Sequence, residues 1–161
     1  MADWRRIVEE FFRCSDPDGE FHHEMRPGAL AGTIDTVQSE LGLQFPDECR
    51  EFYRHFNGIG LVAAENGDDR LFVKPVEELP KFAQSCRSMF AETHANHASR
   101  FFPIIDWGNG DATGYLLDDN GDLLPHLHTV MHELYRYDED QVADEFIQST
   151  GENFANFLTP D

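Results

Sequence analysis

Between Ile34 and Gly60 the chain spells out two amphipathic helices with a tight connection, and no other segment restricts its possible folds as much. Leu30, Ile34, Val37 and Leu41 recur at i, i+4, i+7 and i+11, one stripe of a helix over residues 30–41. Gly32 weakens the first turn, so Thr33 is a candidate N-cap, and Gly42 suits the left-handed position that ends a helix. Pro46 opens a third helix with its fixed φ, and Asp47 and Glu48 complement the positive helix end. Cys49, Phe52, Tyr53 and Phe56 line its inner face, and Asn57-Gly58 is read as its stop, since both residues tolerate positive φ.

The first helix is expected over Asp3–Arg13, with Trp4, Ile7, Val8, Phe11 and Phe12 on one face and Asp3 as cap. Residues 20–28 read as loop. After Gly60 the period changes. Ile59–Ala63 and Leu71–Val73 are short strand candidates around a turn at Glu65-Asn66-Gly67-Asp68. A helix over Lys81–His97 buries Phe82, Cys86, Met89 and Phe90. Strands follow at Phe101–Asp106, Thr113–Asp118 and Leu123–Val130, the last two joined at Asn120-Gly121, a type I′ hairpin signal. A helix over Asp140–Ser149 buries Val142, Phe146 and Ile147, and 151–158 closes the chain as a short helical segment. Helices come first and strands cluster later, so the expected class is α+β: N-terminal helices and a C-terminal helix on a mostly antiparallel mixed sheet. At 161 residues, with no repeats or linkers, 1–161 is read as one domain.

Charge is the strongest compositional feature. Twelve Lys+Arg against 31 Asp+Glu leave −19. Hydrophobic residues make up 40% of the chain, including 14 phenylalanines, which is too apolar for a disordered polyanion. The acids therefore sit on a folded surface. Residues 101–161 hold 13 acids and one base, Arg136, a net −12. Such a surface repels nucleic acid and anionic membrane, and it attracts cationic proteins. Cys14, Cys49 and Cys86 form no C-x-x-C pair, and Cys49 and Cys86, among apolar helix positions, read as reduced core thiols, pointing to a reducing, cytoplasmic setting. Met1–Arg13 has no apolar signal-peptide core, and no run approaches the ~20 residues that span a bilayer.

Candidates for chemistry are sparse. His126, His128 and His132 with Glu133 are the best metal set and would serve a metal-dependent hydrolase, but the zinc-protease spacing is absent. His22-His23-Glu24 is a weaker set. Asp118-Asp119-Asn120-Gly121-Asp122 resembles a calcium loop without the required Gly and Glu, so it reads as an acidic hairpin tip. Gly108-Asn109-Gly110-Asp111 lacks the lysine and helix of a phosphate cradle and reads as a sharp turn with Asp111 bonded to local backbone. No nucleophile motif occurs. The expectation is no enzyme, no cofactor and no metal. Trp107 fits a core plug better than an exposed contact. Tyr135 and Tyr137 fit either a buried edge-strand face or a binding hot spot.

The order of these short motifs resembles the SMI1/KNR4 family of the SUKH superfamily. Its markers here are Pro27-Gly28-Ala29, Ile34 with Glu40-Leu41-Gly42, Phe45-Pro46-Asp47, Phe52-Tyr53, Asn57-Gly58, Phe102-Pro103-Ile104, Gly108-x-Gly110-Asp111 and the closing helix. His132-Glu133 is similar to a His-Glu pair near the end of the sheet in some bacterial members. The resemblance implies helices packed on a mostly antiparallel sheet. It also implies immunity functions, in which bacterial members bind and neutralise toxin domains, often nucleases. Fungal relatives, linked to cell-wall synthesis, imply instead a regulatory or scaffold module. The helical stretch 81–97 departs from the pattern. The expected function is thus binding of a basic protein toxin or other cationic protein. The contact residues expected are Asp118, Asp119, Asp122, Glu133, Tyr135, Tyr137, Asp138 and Glu139.

Overall fold

Helix α1 spans Trp4–Ser15 because Asp3 caps it, its carboxylate accepting the Arg6 N–H at 3.2 Å, and because Trp4, Val8 and Phe12 fall on one buried face. In this computed structural model residues 1–63 and 71–161 are described, so the turn expected at 65–68 lies outside the described residues. The chain divides into two compact units, Met1–Glu78 with Phe154–Asp161, and Leu79–Asn153. The class is α+β.

In the first unit α2 (Ala31–Leu41) and α3 (Asp47–His55) form the expected pair. Gly42 ends α2 at φ 67°. Gln38 of α2 is buried and its carbonyl accepts the Phe45 N–H at 2.8 Å, which fixes the connector. Thr33 is not the cap: α2 begins after Leu30, which is exposed, and no side chain caps it. Asn57-Gly58 does not stop α3 as a loop. The chain turns extended at Phe56 and runs straight into β2 (Phe56–Ala63). Asn57 instead accepts the Val76 N–H and donates to Glu77.

The segment read as loop, 20–28, is strand β1 (Phe21–Pro27), antiparallel to β2. It lacks apolar alternation, and its place is set from outside. The buried Asp16 carboxylate accepts the N–H groups of Glu20 and Phe21 and bonds His23 Nε2 at 2.9 Å, while the His23 ring stacks on Phe12. Burial raises the Asp16 carboxyl, but these bonds outweigh it and hold the group below its ordinary value. Trp4, Phe52 and Phe154 interlock at centroid separations of 4.9–5.3 Å. Glu48 caps the short closing helix α6 (Phe154–Phe157) by accepting the N–H groups of Phe154 and Ala155.

In the second unit the helix expected over 81–97 is two: α4 (Leu79–Ser88) and α5 (Ala95–Arg100). Thr93 and His94 interrupt it: His94 Nε2 donates to Gln141 O, and the Thr93 hydroxyl bonds the His94 ring and Tyr135 OH. Strands β3 (Phe101–Asp106), β4 (Ala112–Leu116), β5 (His128–Val130) and β6 (Ile147–Ser149) form an antiparallel sheet in that order. Pro125 lacks an N–H, and β5 is shorter than the expected 123–130. The helix expected over 140–149 is overridden by this sheet. Ile147, Gln148 and Ser149 pair with Val130, Thr129 and His128, leaving one 3-10 turn at Ala143–Glu145. Phe146 and Ile147 are buried as expected, but Val142 is exposed.

The core of this unit gathers Phe90, Phe101, Ala112, Leu116, Val130 and Phe146. Gly114 lets β4 press against β3: a Cβ there would lie 2.1 Å from Phe102 O and 2.5 Å from Pro103 Cα. Backbone cannot yield as a side chain can. Gly114→Ala is therefore expected to destabilise the protein by about 2–3 kcal/mol, read as a lower urea midpoint. An unchanged midpoint would contradict the close approach.

Candidate partner-binding surface

All the contact residues expected from the sequence lie in the unit Leu79–Asn153, and they fall into two groups. Glu133, Tyr135, Tyr137, Asp138 and Glu139 occupy one irregular loop between β5 and the turn at Ala143–Glu145. Asp118, Asp119 and Asp122 occupy the turn after β4.

The first loop is clamped at its start by the Gly-rich corner. Asp111 Oδ1 accepts both the backbone N–H of His132, at 2.9 Å, and its ring Nδ1–H, at 2.7 Å. Gly110, at φ 100°, lies against the His132 ring, where an added Cβ would come within 2.8 Å of Cγ. The Asn109 carbonyl accepts the Asp111 N–H. So the corner and the His132-Glu133 pair, far apart in sequence, are one device. Burial raises the Asp111 carboxyl, but the hydrogen bonds from His132 outweigh it and hold it below its ordinary 3.8. Trp107 is not a core plug. It is 41% exposed, with Nε1 donating to Thr113 Oγ1 at 2.9 Å.

The other end of the loop is held by Gln141, a residue the sequence did not single out. Its side chain is buried. Oε1 accepts the Arg136 N–H, while Nε2 donates to Leu134 O at 2.7 Å and to Glu145. Its backbone carbonyl accepts His94 Nε2–H at 2.7 Å. His94 is therefore the Nε2–H tautomer when neutral. Its Nδ1 then accepts from Thr93, whose hydroxyl meets Tyr135 OH at 2.7 Å. The Tyr135 ring packs on Phe146 and lies 5.7 Å from that of Tyr137. Neither tyrosine lies in a strand, so the edge-strand alternative does not hold.

Tyr137 has φ 56°, the left-handed region that a tyrosine enters at a cost of about 1–2 kcal/mol. The residue is 61% exposed, so burial does not offset that cost. Its hydroxyl donates to Glu92, which raises the phenol above its ordinary value. Leu134 and Val142 are exposed on the same loop, among Glu133, Asp138, Glu139 and Asp140.

In the second group, Asp118 Oδ1 accepts the N–H groups of Asn120 and Asp122, which makes the segment a satisfied acidic turn. The expected type I′ geometry needs two positive φ angles. Only Gly121 has one, at 84°. Asp119 pairs with Arg100 at 2.9 Å, and Asp122 is exposed. Asp118 and Asp119 line a depression of about 250 Å³ with His97, Arg100, Leu116, Leu117, Leu124, His128, Asp144 and Ile147.

The metal set is not assembled. His132 is engaged by Asp111, His128 Nδ1–H donates to His126 O, and His22 pairs with Glu24 on β1. Among the described residues no group of three or more His, Cys, Asp or Glu has the geometry to hold a metal ion. Burial, then Asp106, push the Cys86 thiol up to about 12, so it stays protonated at neutral pH. No helix among the described residues is long and apolar enough to cross a membrane.

Two consequences are measurable. Gln141→Leu keeps the volume but loses three side-chain hydrogen bonds. It should cost about 1–3 kcal/mol and speed amide exchange across residues 134–140. Folded Asp111 releases its proton more readily than the unfolded chain does. Its contribution is therefore complete above pH 3.8 and is lost as pH falls through the lower folded value. Unfolding curves of the native chain and Asp111→Asn should differ by about 1–3 kcal/mol at pH 6, and the gap should close progressively as pH falls below 3.8. A gap that persists in acid would contradict the Asp111–His132 account.

The model of the SMI1 / KNR4 family (SUKH-1) matches residues 28–159, and the chain belongs to that family. No curated protein matches it.

Proposed function

We propose that this SMI1/KNR4 member is a non-enzymatic, cytoplasmic binding protein: an immunity protein that neutralises a basic toxin, in the favoured case a nuclease, by occlusion. The observation that carries the reading is the loop from His132 to Gln141. It presents an exposed tyrosine in a strained conformation, on a segment that also exposes Glu133, Asp138, Glu139 and Asp140 and whose backbone is fixed at both ends.

A cationic protein surface needs two things from its inhibitor. Rigid aromatic anchors supply most of the affinity, and surrounding carboxylates supply steering and register. A nuclease must attract phosphate, so its working face is basic, and carboxylates compete for that face. Strain held at an exposed side chain fits a contact built for a partner better than one built for stability.

The test uses the purified chain and the toxin domain encoded beside its gene. Association should be fast and should slow with added salt. Tyr137→Ala should weaken the complex by about 2–4 kcal/mol, mainly through faster dissociation. Asp138→Asn with Glu139→Gln should act mainly on association. Salt-insensitive binding to a neutral partner would contradict the reading, and a housekeeping protein as sole partner would favour a regulatory module.

A further inference from the structure

The depression beside the Asp118 turn points to the side chain that the partner brings. We propose that it is a receptor pocket for one lysine or arginine side chain of a cationic protein, a proposal that rests on the binding reading above.

Its size suits one side chain. About 250 Å³ falls below the roughly 300–1,000 Å³ of sites for drug-sized molecules. Leu116, Leu117, Leu124 and Ile147 give it apolar walls, which a methylene stem can cover while its charged head stays at the rim. Three carboxylates, Asp118, Asp119 and Asp144, also line it.

The cation already present does not neutralise them. Arg100 directs Nε to Asn96 O, and Nη1 to Leu117 O and to Asp119. Among the described residues neither Asp118 nor Asp144 has a cationic partner. One oxygen of Asp118 collects two backbone N–H groups, which leaves the other for a ligand.

The two histidines complete the wall without adding charge. Burial lowers both His97 and His128 from their ordinary value, so at neutral pH both rings are neutral. His128 Nδ1–H donates to His126 O, so its Nε2 is an acceptor. Three carboxylates and one engaged guanidinium leave the lining net negative beside its apolar residues. That combination selects a long cationic side chain over an anion or an uncharged one.

The experiment titrates the isotope-labelled chain with Nα-acetyl-lysine methylamide and follows its NMR spectrum. Norleucine of the same form serves as the uncharged control and inorganic phosphate as the anion control. The expected result is saturable shifts at His97, His128, Leu117 and Leu124 with the lysine probe alone. Asp144→Asn, an exposed substitution that leaves the fold intact, should weaken that binding about 3- to 5-fold. Equal shifts from norleucine would overturn the proposal, as would phosphate binding at the same signals. So would lysine shifts confined to residues 133–140 and unaltered in Asp144→Asn. The outcome is separable from toxin capture. A captured toxin with a silent pocket overturns the pocket alone, and a lysine-binding pocket with no cationic partner overturns the immunity reading alone.

Discussion

The buried amide of Gln141 is the contact on which the acidic surface depends. A loop rich in Asp and Glu repels itself, and its backbone groups compete for water. Left alone it would be an ensemble. Here a single side chain spans the loop, bonding Arg136 N–H, Leu134 O and Glu145, while its own backbone carbonyl is held by His94. Removing the amide would leave three half-buried hydrogen bonds unmade around a buried side chain. Asp111 does the same at the other end through His132. Between the two clamps, Tyr137 is held at a φ that its own side chain disfavours.

In the proposed role, this arrangement links stability to recognition. Order imposed on the loop before binding is entropy that the complex does not have to lose, so affinity benefits from a loop that is already fixed. Strong negative charge works in the opposite direction on folding, because it destabilises the compact state through self-repulsion. The aromatic core of the first unit, with Trp4, Phe52 and Phe154 interlocked, and the phenylalanine-rich core of the second are the apolar burial that offsets it. Surface charge and aromatic content are thus two sides of one composition.

Much of the fold was legible in the sequence where periodicity and local chemistry agree. Ile34 and Val37, Cys49 and Phe52, the Gly42 cap and the strand Phe101–Asp106 all lie where the pattern puts them. The misses share a cause: pairing across sequence distance outweighed local propensity. Residues 21–27 became a strand through Asp16 and β2. Residues 147–149 became a strand through β5, although their apolar spacing suits a helix. The expected contact residues were chosen by charge and aromatic type, and five of them share one loop. Gln141 and His94 were invisible, because a lone polar residue carries no sign in the sequence of being buried. The link between Asp111 and His132 was equally hidden, since each motif was read in isolation.

The central claim is that an ordered, negatively charged loop meets a positively charged protein face. Hydrogen exchange on the chain alone and bound to the basic toxin domain proposed as its partner tests it most directly. The account predicts that the amides of His132, Arg136 and Gln141 are already protected in the free protein, and that binding adds protection across residues 133–140. Unprotected amides in the free loop, or a footprint confined to Met1–Glu78, would contradict it.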